Sequence, residues 1–275
     1  MFSKDNTVIQ GSSNKPILID IIYSQDQVNN KVVIFSHGFK GFKDWGPFNK
    51  IAEWFSFHGF TFIKFNFSHN GTSLEYPCDF IDLDAFGNNN FCKELDDLGL
   101  VIDWVREKFS SSEITLFGHS RGGSISILKS AEDNRISNVI SWASPSNLIS
   151  KLPNYEKVKT WKMRNVAYVY NGRTKQNMPL YYQFYEDCMD NLERLDMQQV
   201  LINMNIPHLH IHGDADTTVP VTEAHTIQSW NRGTNLQIIE GSNHVFDGFH
   251  PYNLMVFPEH LQEAINISID FLKGK

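Results

Sequence analysis

A serine between glycines is the residue of this sequence best suited to covalent chemistry. The motif Gly118–Gly122 (GHSRG) follows the apolar run 114–117 and precedes a helical pattern over 122–131. A serine on a sharp turn from strand to helix points its hydroxyl into a cleft, and flanking glycines allow the strained backbone that this needs. The spacing predicts Ser120 as a nucleophile, with a plain structural turn as the alternative. A phosphate-binding loop is disfavoured, because Ser124 stands where that loop requires lysine.

A serine hydroxyl is nearly inert at neutral pH, so the chain must also supply a base and a carboxylate that orients the base. Asp214 and Asp216 both follow the strand predicted at 207–212. We favour Asp216, which lies farther into the loop and just before a helix, whereas Asp214 suits a turn or a helix cap. The predicted base is His244, which lies just past the last predicted strand. The competing histidines are His225, His250 and His260.

Attack on a carbonyl group places negative charge on its oxygen, and two backbone N–H groups can stabilise that charge. The N–H of Arg121 directly follows the predicted nucleophile. The second donor is expected from the turn after an early strand, where His37, Gly38 and Phe39 stand in succession. We assign it to the N–H of Phe39. A plain tight turn at His37 and Gly38 is the alternative.

Three histidines alternate along one predicted strand, and with the next carboxylate they are similar to a metallohydrolase ligand run. These residues are His208, His210, His212 and Asp214. Further ligand clusters at suitable spacing are missing from the sequence, and such histidines are more often packed or hydrogen-bonded in a covered sheet. Cys78, Cys92 and Cys188 lack zinc-ribbon or C-x-x-C spacing, which favours free thiols. No dinucleotide fingerprint follows a strand, so we expect neither a metal nor another cofactor.

The elements that must position these residues alternate between strands and helices. Alternation of this kind predicts an α/β fold with a mostly parallel sheet and helices on both faces, in which a ligand lies at the carboxyl ends of the strands. A length of 275 residues is compatible with a single domain, 1–275. Strands are predicted at 16–23, 32–35, 60–67, 114–117, 139–143, 207–212 and 236–240.

Residues 146–204 interrupt this alternation and are interpreted as a lid inserted into the single domain. They are rich in tyrosine, methionine, tryptophan and charge. Asn171-Gly172 predicts a two-residue hairpin turn, and 185–200 predicts a helix. Aromatic side chains of the lid and of the core are pocket candidates, although each alone is more often a packing residue. The candidates for substrate binding are Trp45, Trp142, Trp161, Tyr168 and Tyr182, with Phe39, Tyr170, Tyr181 and Met189 as further candidates.

The charge balance excludes two classes of partner. With 24 basic and 31 acidic residues the chain carries a net charge of −7. Lysine and arginine supply most of the affinity for nucleic-acid phosphates and for anionic membrane surfaces, so we expect neither partner. The polar N-terminus has no apolar segment, and no run of about 18 apolar residues occurs. We therefore expect a cytoplasmic protein.

Together, four motifs resemble those of the α/β-hydrolase family. They are HGF (37–39), GHSRGG (118–123), GDADTTVP (213–220) and GSNHVF (241–246), in the order that the family has them. Within the family, the HGFKG turn and the insertion before the acid resemble the cytosolic cinnamoyl/feruloyl-esterase-like and dienelactone-hydrolase-like branch. Arg121 is a departure, since those esterases often have glutamine there. A guanidinium near the pocket mouth would favour acidic or polar acyl groups.

The resemblance implies a cofactor-independent serine hydrolase that cleaves a carboxylic ester through an acyl-enzyme. Ser120 would be the nucleophile, His244 the base and Asp216 the acid that orients it. An aminopeptidase or acyl-peptide hydrolase would use the same triad, as would a cofactor-free haloperoxidase or a carbon–carbon bond hydrolase. A non-catalytic ligand-binding protein on this scaffold is a further alternative, which the intact triad disfavours. The expected partner is a small-molecule ester, and a homodimer is left open.

Overall fold

The computed structural model describes residues 2–25, 30–110 and 112–274. Its strands are β1 (Phe2–Gln10), β2 (Pro16–Ser24), β3 (Lys31–Ser36), β4 (Thr61–Phe65), β5 (Glu113–His119), β6 (Ile136–Trp142), β7 (Val166–Asn171), β8 (Gln176–Tyr181), β9 (His208–Gly213) and β10 (Asn235–Ile239). Its helices are α1 (Phe48–Phe57), α2 (Leu83–Gly87), α3 (Phe91–Lys108), α4 (Arg121–Glu132), α5 (Tyr155–Arg164), α6 (Gln183–Asp190), α7 (Met197–Asn203), α8 (Thr222–Trp230) and α9 (Glu259–Leu272).

Eight strands form one sheet in the order β1-β2-β4-β3-β5-β6-β9-β10. From β4 to β10 every neighbouring pair is parallel, which confirms the predicted mostly parallel sheet. The other edge is antiparallel, with β1 on β2 and β2 on β4. Strand β1 was not predicted because its sequence is largely polar. It forms by pairing with β2, where Ile9 lies opposite Ile17.

Helices cover both faces of the sheet, and this explains the continuous apolar runs of its central strands. On β3, Val32 and Ile34 share a core with residues of α3 and α4, whereas Val33 and Phe35 share the opposite core with residues of α1 and α9. Side chains alternate along a strand, so a strand buried on both faces needs apolar residues at every position. The carboxyl ends of these central strands therefore emerge between two packed layers.

The chain between β6 and β9 contains α5, the hairpin of β7 and β8, α6 and α7. The two-residue hairpin turn predicted at Asn171-Gly172 is wrong, because Asn171 pairs with Gln176 and the loop has four residues, 172–175. The Asn171 side chain forms the turn instead, since its Oδ1 accepts a hydrogen bond from Arg173 N at 3.1 Å. The helix predicted at 185–200 is divided into α6 and α7.

The long segment 68–90, in which the sequence shows no periodicity, includes the short helix α2. Asp82 begins this helix, and its Oδ1 accepts a hydrogen bond from Ala85 N at 2.9 Å. Helix α2 packs against β8 of the hairpin. None of the described helices combines the length and the apolar character that crossing a membrane requires.

Candidate active site

Ser120 occupies a strained turn between β5 and α4. Its φ of 55° and ψ of −126° lie outside the conformations that a side chain favours. A Cβ atom on Gly118 would collide with the backbone of Gly122, and one on Gly122 would collide with the carbonyl of Ser36. The glycines are thus required by the close approach of α4 to β3 and β5. The turn is fixed further because Ser120 N donates to Trp142 O at 2.8 Å.

Asp216 and His244 meet at the carboxyl ends of β9 and β10. His244 Nδ1 lies 2.7 Å from Asp216 Oδ2. The other oxygen, Oδ1, accepts hydrogen bonds from the N–H groups of Thr218 at 2.7 Å and Val219 at 2.9 Å. Burial raises the pKa of the Asp216 carboxyl, but bonds from His212, His244 and Val219 outweigh it and hold the pKa below its ordinary value. An ionised Asp216 keeps the proton on Nδ1 of His244, which leaves Nε2 as a proton acceptor.

The competing residues take other roles. Asp214 is exposed, and its Oδ1 accepts a hydrogen bond from Gly241 N at 2.7 Å. This is the turn role that the sequence suggested. His225 is exposed on α8, and His260 lies 2.7 Å from Asp247 Oδ2. His250 accepts a hydrogen bond from Gly46 N at 2.9 Å.

Ser120 and His244 line one cavity of about 440 Å³. Within the described part of the chain, the Ser120 hydroxyl makes no hydrogen bond, so it is not joined to His244 in this conformation. Hydrogen bonds of this kind often tighten only when substrate binds. His119 also lines the cavity, and its Nε2 donates to the carbonyl oxygen of His244 at 2.8 Å.

The turn after β3 lies directly against Ser120. A Cβ atom on Gly38 would stand 3.1 Å from the Cβ of Ser120. The N–H of Phe39 donates to no acceptor among the described residues, and the N–H of Arg121 opens α4, where no intrahelical acceptor exists. Two unengaged N–H groups therefore flank the serine. Burial lowers the pKa of His37 to about 4, and its neutral ring holds this turn by donating from Nδ1 to Gly38 O at 2.9 Å.

The Arg121 side chain points to α3, so the expectation that it would face an acidic acyl group at the pocket mouth is wrong. Its guanidinium centre lies 4.1 Å from the Phe39 ring centroid and 5.0 Å from that of Phe91. Its Nη1 lies 3.3 Å from Glu94 Oε1. A guanidinium favours such stacked, ion-paired positions. The Arg121 side chain thus packs on Phe39, and each of these two residues has a backbone N–H that is unengaged within the described chain.

One of the five aromatic residues predicted to bind substrate lies at the cavity. Trp45 lines it, together with Phe39, Phe48 and Phe249. The prediction for Trp142 is wrong, because this side chain is 1% exposed and packs on Phe117 with ring centroids 4.7 Å apart. Its indole N–H donates to Ser268 Oγ at 3.1 Å.

The three aromatic residues predicted from the insertion also lie away from the cavity. Trp161 and Tyr182 are buried inside the insertion, with ring centroids 6.0 Å apart, and Trp161 Nε1 donates to Leu180 O at 2.8 Å. Tyr168 is 63% exposed on β7. Trp161 and Tyr182 join the core that the sheet forms with α3 and α4, and for this reason they are unavailable to a ligand.

Sequence reasoning missed two cationic residues of the cavity wall, Lys40 and Arg173. Lys40 directly follows the HGF motif, and this position was a usable signal. Arg173 follows the Asn171-Gly172 pair at the hairpin tip, which the sequence placed in the insertion without indicating where the tip would lie.

The histidines on β9 are buried and hydrogen-bonded to protein groups. Ser141 Oγ lies 2.8 Å from His208 Nε2 and 2.7 Å from His210 Nδ1. His212 Nε2 lies 2.8 Å from Val219 O. Burial lowers the pKa of His208 to about 3. Across the described ranges, no group of three or more His, Cys, Asp or Glu side chains is arranged to hold a metal.

A larger groove of about 760 Å³ lies near the amino end of β6, whereas the cavity beside Ser120 lies at the carboxyl ends of the strands. Three of its charged side chains, those of Glu132, Asp133 and Arg135, form ion pairs. Arg135 Nη2 lies 2.6 Å from Asp133 Oδ2, and Arg194 Nε lies 2.7 Å from Glu132 Oε1. Among its described residues, the groove has no counterpart of the strained serine.

Comparison with known proteins identifies a family and several solved structures of one fold. The sequence pattern of a family described as "alpha/beta hydrolase fold" matches residues 31–174, slightly more than half of the chain. No curated protein sequence matches the chain. Est1E from Butyrivibrio proteoclasticus, solved with ferulic acid bound, is 16% identical over 98% of both chains, with a TM-score of 0.75.

Two further solved structures have the same fold. The alpha/beta hydrolase GrgF from Penicillium sp. sh18 is 17% identical over 99% of this chain and 98% of its own, with a TM-score of 0.72. An esterase domain from a Rhodothermus marinus protein is 14% identical over 99% and 97%, with a TM-score of 0.65. At these identities the likeness establishes the fold.

Proposed function

The chain belongs to the alpha/beta hydrolase fold family, and on that premise we propose that it is a serine hydrolase that cleaves carboxylic esters. One observation carries the proposal. A strained serine and a histidine bonded to a buried carboxylate line one cavity, and two unengaged backbone N–H groups flank the serine. These groups are Ser120, His244, Asp216, Phe39 and Arg121.

In the proposed acylation step, His244 Nε2 takes the proton of the Ser120 hydroxyl while Oγ attacks the ester carbonyl carbon. The negative charge that develops on the carbonyl oxygen is stabilised by the N–H groups of Phe39 and Arg121. Asp216 stabilises the positive imidazolium. His244 then gives its proton to the leaving alcohol as the ester C–O bond breaks, and an acyl-enzyme remains on Ser120.

Deacylation repeats these steps with water as the nucleophile. His244 accepts a proton from water, and the oxygen of the water attacks the acyl carbon. The same two N–H groups bind the second oxyanion. When the bond to Ser120 Oγ breaks, His244 returns the proton to the serine, and the carboxylic acid leaves. The balance is one ester and one water to one acid and one alcohol, without a cofactor.

The inserted segment 146–204 is proposed to act as a lid on this site. The support is that Asn171 and Arg173, at the tip of its hairpin, line the cavity that holds Ser120. Trp45, Phe48 and Phe249 give the cavity an apolar wall suited to an acyl or aryl group. Est1E, which binds ferulic acid in its solved structure, supports an ester with an aromatic part.

Labelling with a fluorophosphonate probe tests the proposal, because the probe reacts only with an activated serine. We expect wild-type protein to be labelled and Ser120→Ala to be unlabelled. His244→Gln, which removes the base and retains a side chain of similar length, should lower the labelling rate at least about a thousandfold. Labelling that persists in Ser120→Ala would contradict the nucleophile. Turnover of aminoacyl amides above that of aryl and alkyl esters would replace the esterase with a peptidase.

A further inference from the structure

The cavity beside Ser120 has a charge bias that opposes that of the whole chain. The chain carries a net charge of −7. Among the described residues, the cavity wall includes two side chains with fixed positive charge, Lys40 and Arg173, and no Asp or Glu. Asp216 is only 6% exposed and lies behind His244. A substrate that enters this cavity therefore meets cations and an apolar wall.

Arg173 is held in place without being neutralised. Its guanidinium centre lies 5.1 Å from the ring centroid of Phe42 and 5.4 Å from that of Phe80. The Asn171 side chain fixes the loop that carries it. Throughout the described chain no carboxylate forms an ion pair with Arg173. Asp79 attracts it electrostatically from beyond ion-pair distance and is itself exposed on the surface.

Lys40 is similarly unneutralised. Its Nζ donates to the backbone carbonyl of Tyr170 at 3.3 Å, which joins the turn after β3 to the hairpin. It forms no ion pair with a described carboxylate. Burial and the nearby Arg121 lower the pKa of Lys40, and an anion bound at this place would oppose both effects. An ammonium group has three donors, and the carbonyl of Tyr170 uses one of them.

The cations that the described chain buries fully are paired with carboxylates, whereas Lys40 is half-buried and Arg173 is exposed at the cavity, and neither has a carboxylate partner there. Lys43 Nζ lies 2.7 Å from Asp20 Oδ2 and 2.5 Å from Asp44 Oδ2. Lys64 bonds to the same two carboxylates and is completely buried. Lys43 is only three residues from Lys40 along the same turn. A fully buried lysine of the same turn thus has carboxylate partners, while the two more accessible cations at the cavity have none among the described residues.

We propose that the substrate is an ester that also carries a carboxylate, and that Arg173 and Lys40 bind this carboxylate while Ser120 attacks the ester. The inference rests on the proposed ester hydrolysis and names its substrate class. Guanidinium and ammonium groups bind carboxylates through charge-assisted hydrogen bonds. A cavity of about 440 Å³ admits a small ester of this kind. The apolar wall would pack on the hydrocarbon between the two carboxyl groups.

Two matched substrate pairs test the proposal and show which half of the ester carries the charge. Monobenzyl adipate and benzyl hexanoate differ by a carboxylate in place of a methyl group in the acyl part. The butyrate ester of 4-(hydroxymethyl)benzoate and benzyl butyrate differ by a carboxylate in the alcohol part. We expect the wild-type protein to prefer the anionic member of one pair by about tenfold in kcat/KM, since one charge-assisted contact has that effect.

Variants then connect the preference to the two cations. Arg173→Gln and Lys40→Gln should each lower the ratio of anionic to neutral kcat/KM about threefold to tenfold. A general loss of activity cancels in this ratio. Lys175→Gln is the matched control, because Lys175 lies in the same four-residue loop but outside the cavity wall, and it should keep the wild-type ratio. Asp79→Asn removes the distant carboxylate and should raise the ratio.

Binding to Ser120→Ala separates this proposal from the proposed function. Of monobenzyl adipate and the butyrate ester of 4-(hydroxymethyl)benzoate, at least one should bind Ser120→Ala about tenfold more tightly than the double variant Ser120→Ala/Arg173→Gln in a calorimetric titration. Equal affinities of the two proteins for both esters, or wild-type ratios near one in both substrate pairs, would overturn the anionic substrate while leaving esterase activity intact. A protein that binds one of these esters in this way but hydrolyses neither pair and is not labelled at Ser120 would overturn the esterase and keep the anion site.

Discussion

Two kinds of histidine meet at the same carboxylate oxygen of this protein. His244 Nδ1 lies 2.7 Å from Asp216 Oδ2, and His212 Nε2 lies 3.4 Å from it. His212 has no exposed side chain and continues a buried row along β9, whereas the side chain of His244 is 17% exposed and lines the cavity. Both histidines therefore lie near the same carboxylate. They differ because His244 has a ring nitrogen at the cavity without a partner among the described residues, whereas both ring nitrogens of His212 are hydrogen-bonded.

The β9 row is a closed hydrogen-bond chain with one consistent direction. Thr234 donates to His208 Nδ1, His208 Nε2 donates to Ser141, and Ser141 donates to His210 Nδ1. His210 Nε2 then donates to His212 Nδ1, and His212 Nε2 donates to the carbonyl of Val219. Every ring nitrogen has a partner when all three rings are neutral. A buried neutral ring with both nitrogens bonded stabilises the fold and has no position left for a substrate proton.

Replacing Asp216, which lies next to both His212 and His244, should have the largest effect on kcat. Asp216→Asn keeps an oxygen for the N–H groups of Thr218 and Val219 but turns an amide N–H toward His244 Nδ1. The ring would then carry its proton on Nε2 and could not accept one from Ser120. We expect kcat for a neutral ester to fall by about a thousandfold to ten-thousandfold.

Asp214→Asn is the matched control for that prediction. Asp214 lies two residues away and is exposed, and its side chain accepts a hydrogen bond from the turn at Gly241. It should lose less than about threefold in kcat. A loss of similar size in both variants, with folded circular-dichroism spectra, would contradict the distinction between the two aspartates.

The buried histidines of β9 should make the free energy of unfolding depend on pH. Burial lowers the pKa of His208 from 6.5 to about 3. Below pH 6.5 the unfolded histidine binds a proton that the folded one does not, so folding stability falls as pH decreases toward 3. Between pH 7 and pH 5 this one residue should reduce the free energy of unfolding by about 2 kcal/mol.

Urea unfolding at the two pH values measures this effect. His208→Asn, which retains polar atoms near Ser141 and Thr234, should be less stable at pH 7 but should lose less stability on going to pH 5. His225→Asn is the control, because His225 is exposed on α8, and its pH dependence should match the wild type. If His208→Asn and wild type lost equal stability between pH 7 and pH 5, His208 would be protonated in the folded state and the closed chain would be disproved.

The meeting of Ser120, Asp216 and His244 at one edge of the sheet could be predicted from the sequence better than the lining of the pocket. Each of the three follows a strand in a parallel sheet, and the carboxyl ends of such strands share one edge, so local motifs suffice to bring them together. A pocket wall depends on which way a side chain turns after packing. Trp142 and Trp161 are of a residue type common in binding sites, yet both side chains are buried in cores.

The cationic residues of the cavity wall were also hard to predict from the sequence. Arg121 was expected at the mouth because it follows the serine, but stacking on Phe39 and pairing with Glu94 turn it to α3. Lys40 and Arg173 reach the cavity from segments about 130 residues apart. Nothing in either local sequence encodes that meeting. It follows from where the hairpin of the insertion packs on α2, which is a tertiary property.

His119 has features of both kinds of histidine and should show the smallest effect. It is buried like the β9 row, and burial lowers its pKa to about 3, yet it lines the cavity beside His244. Its Nε2 bonds the backbone oxygen of His244, and the two ring centroids are 5.0 Å apart. This hydrogen bond fixes the backbone from which the His244 ring projects.

His119→Phe keeps an aromatic ring of similar shape and removes the donor. We expect kcat to fall about tenfold with little change in KM, because the base is less well oriented while the binding wall is retained. His119→Gln can donate from a similar position and should recover part of the loss. If His119→Phe and His119→Gln reduced kcat equally and both lowered Tm, His119 would act only through packing. Partial recovery of kcat in His119→Gln would instead show that His119 positions His244. Loss of a histidine of the β9 row should lower Tm, whereas loss of a positioning residue should lower kcat.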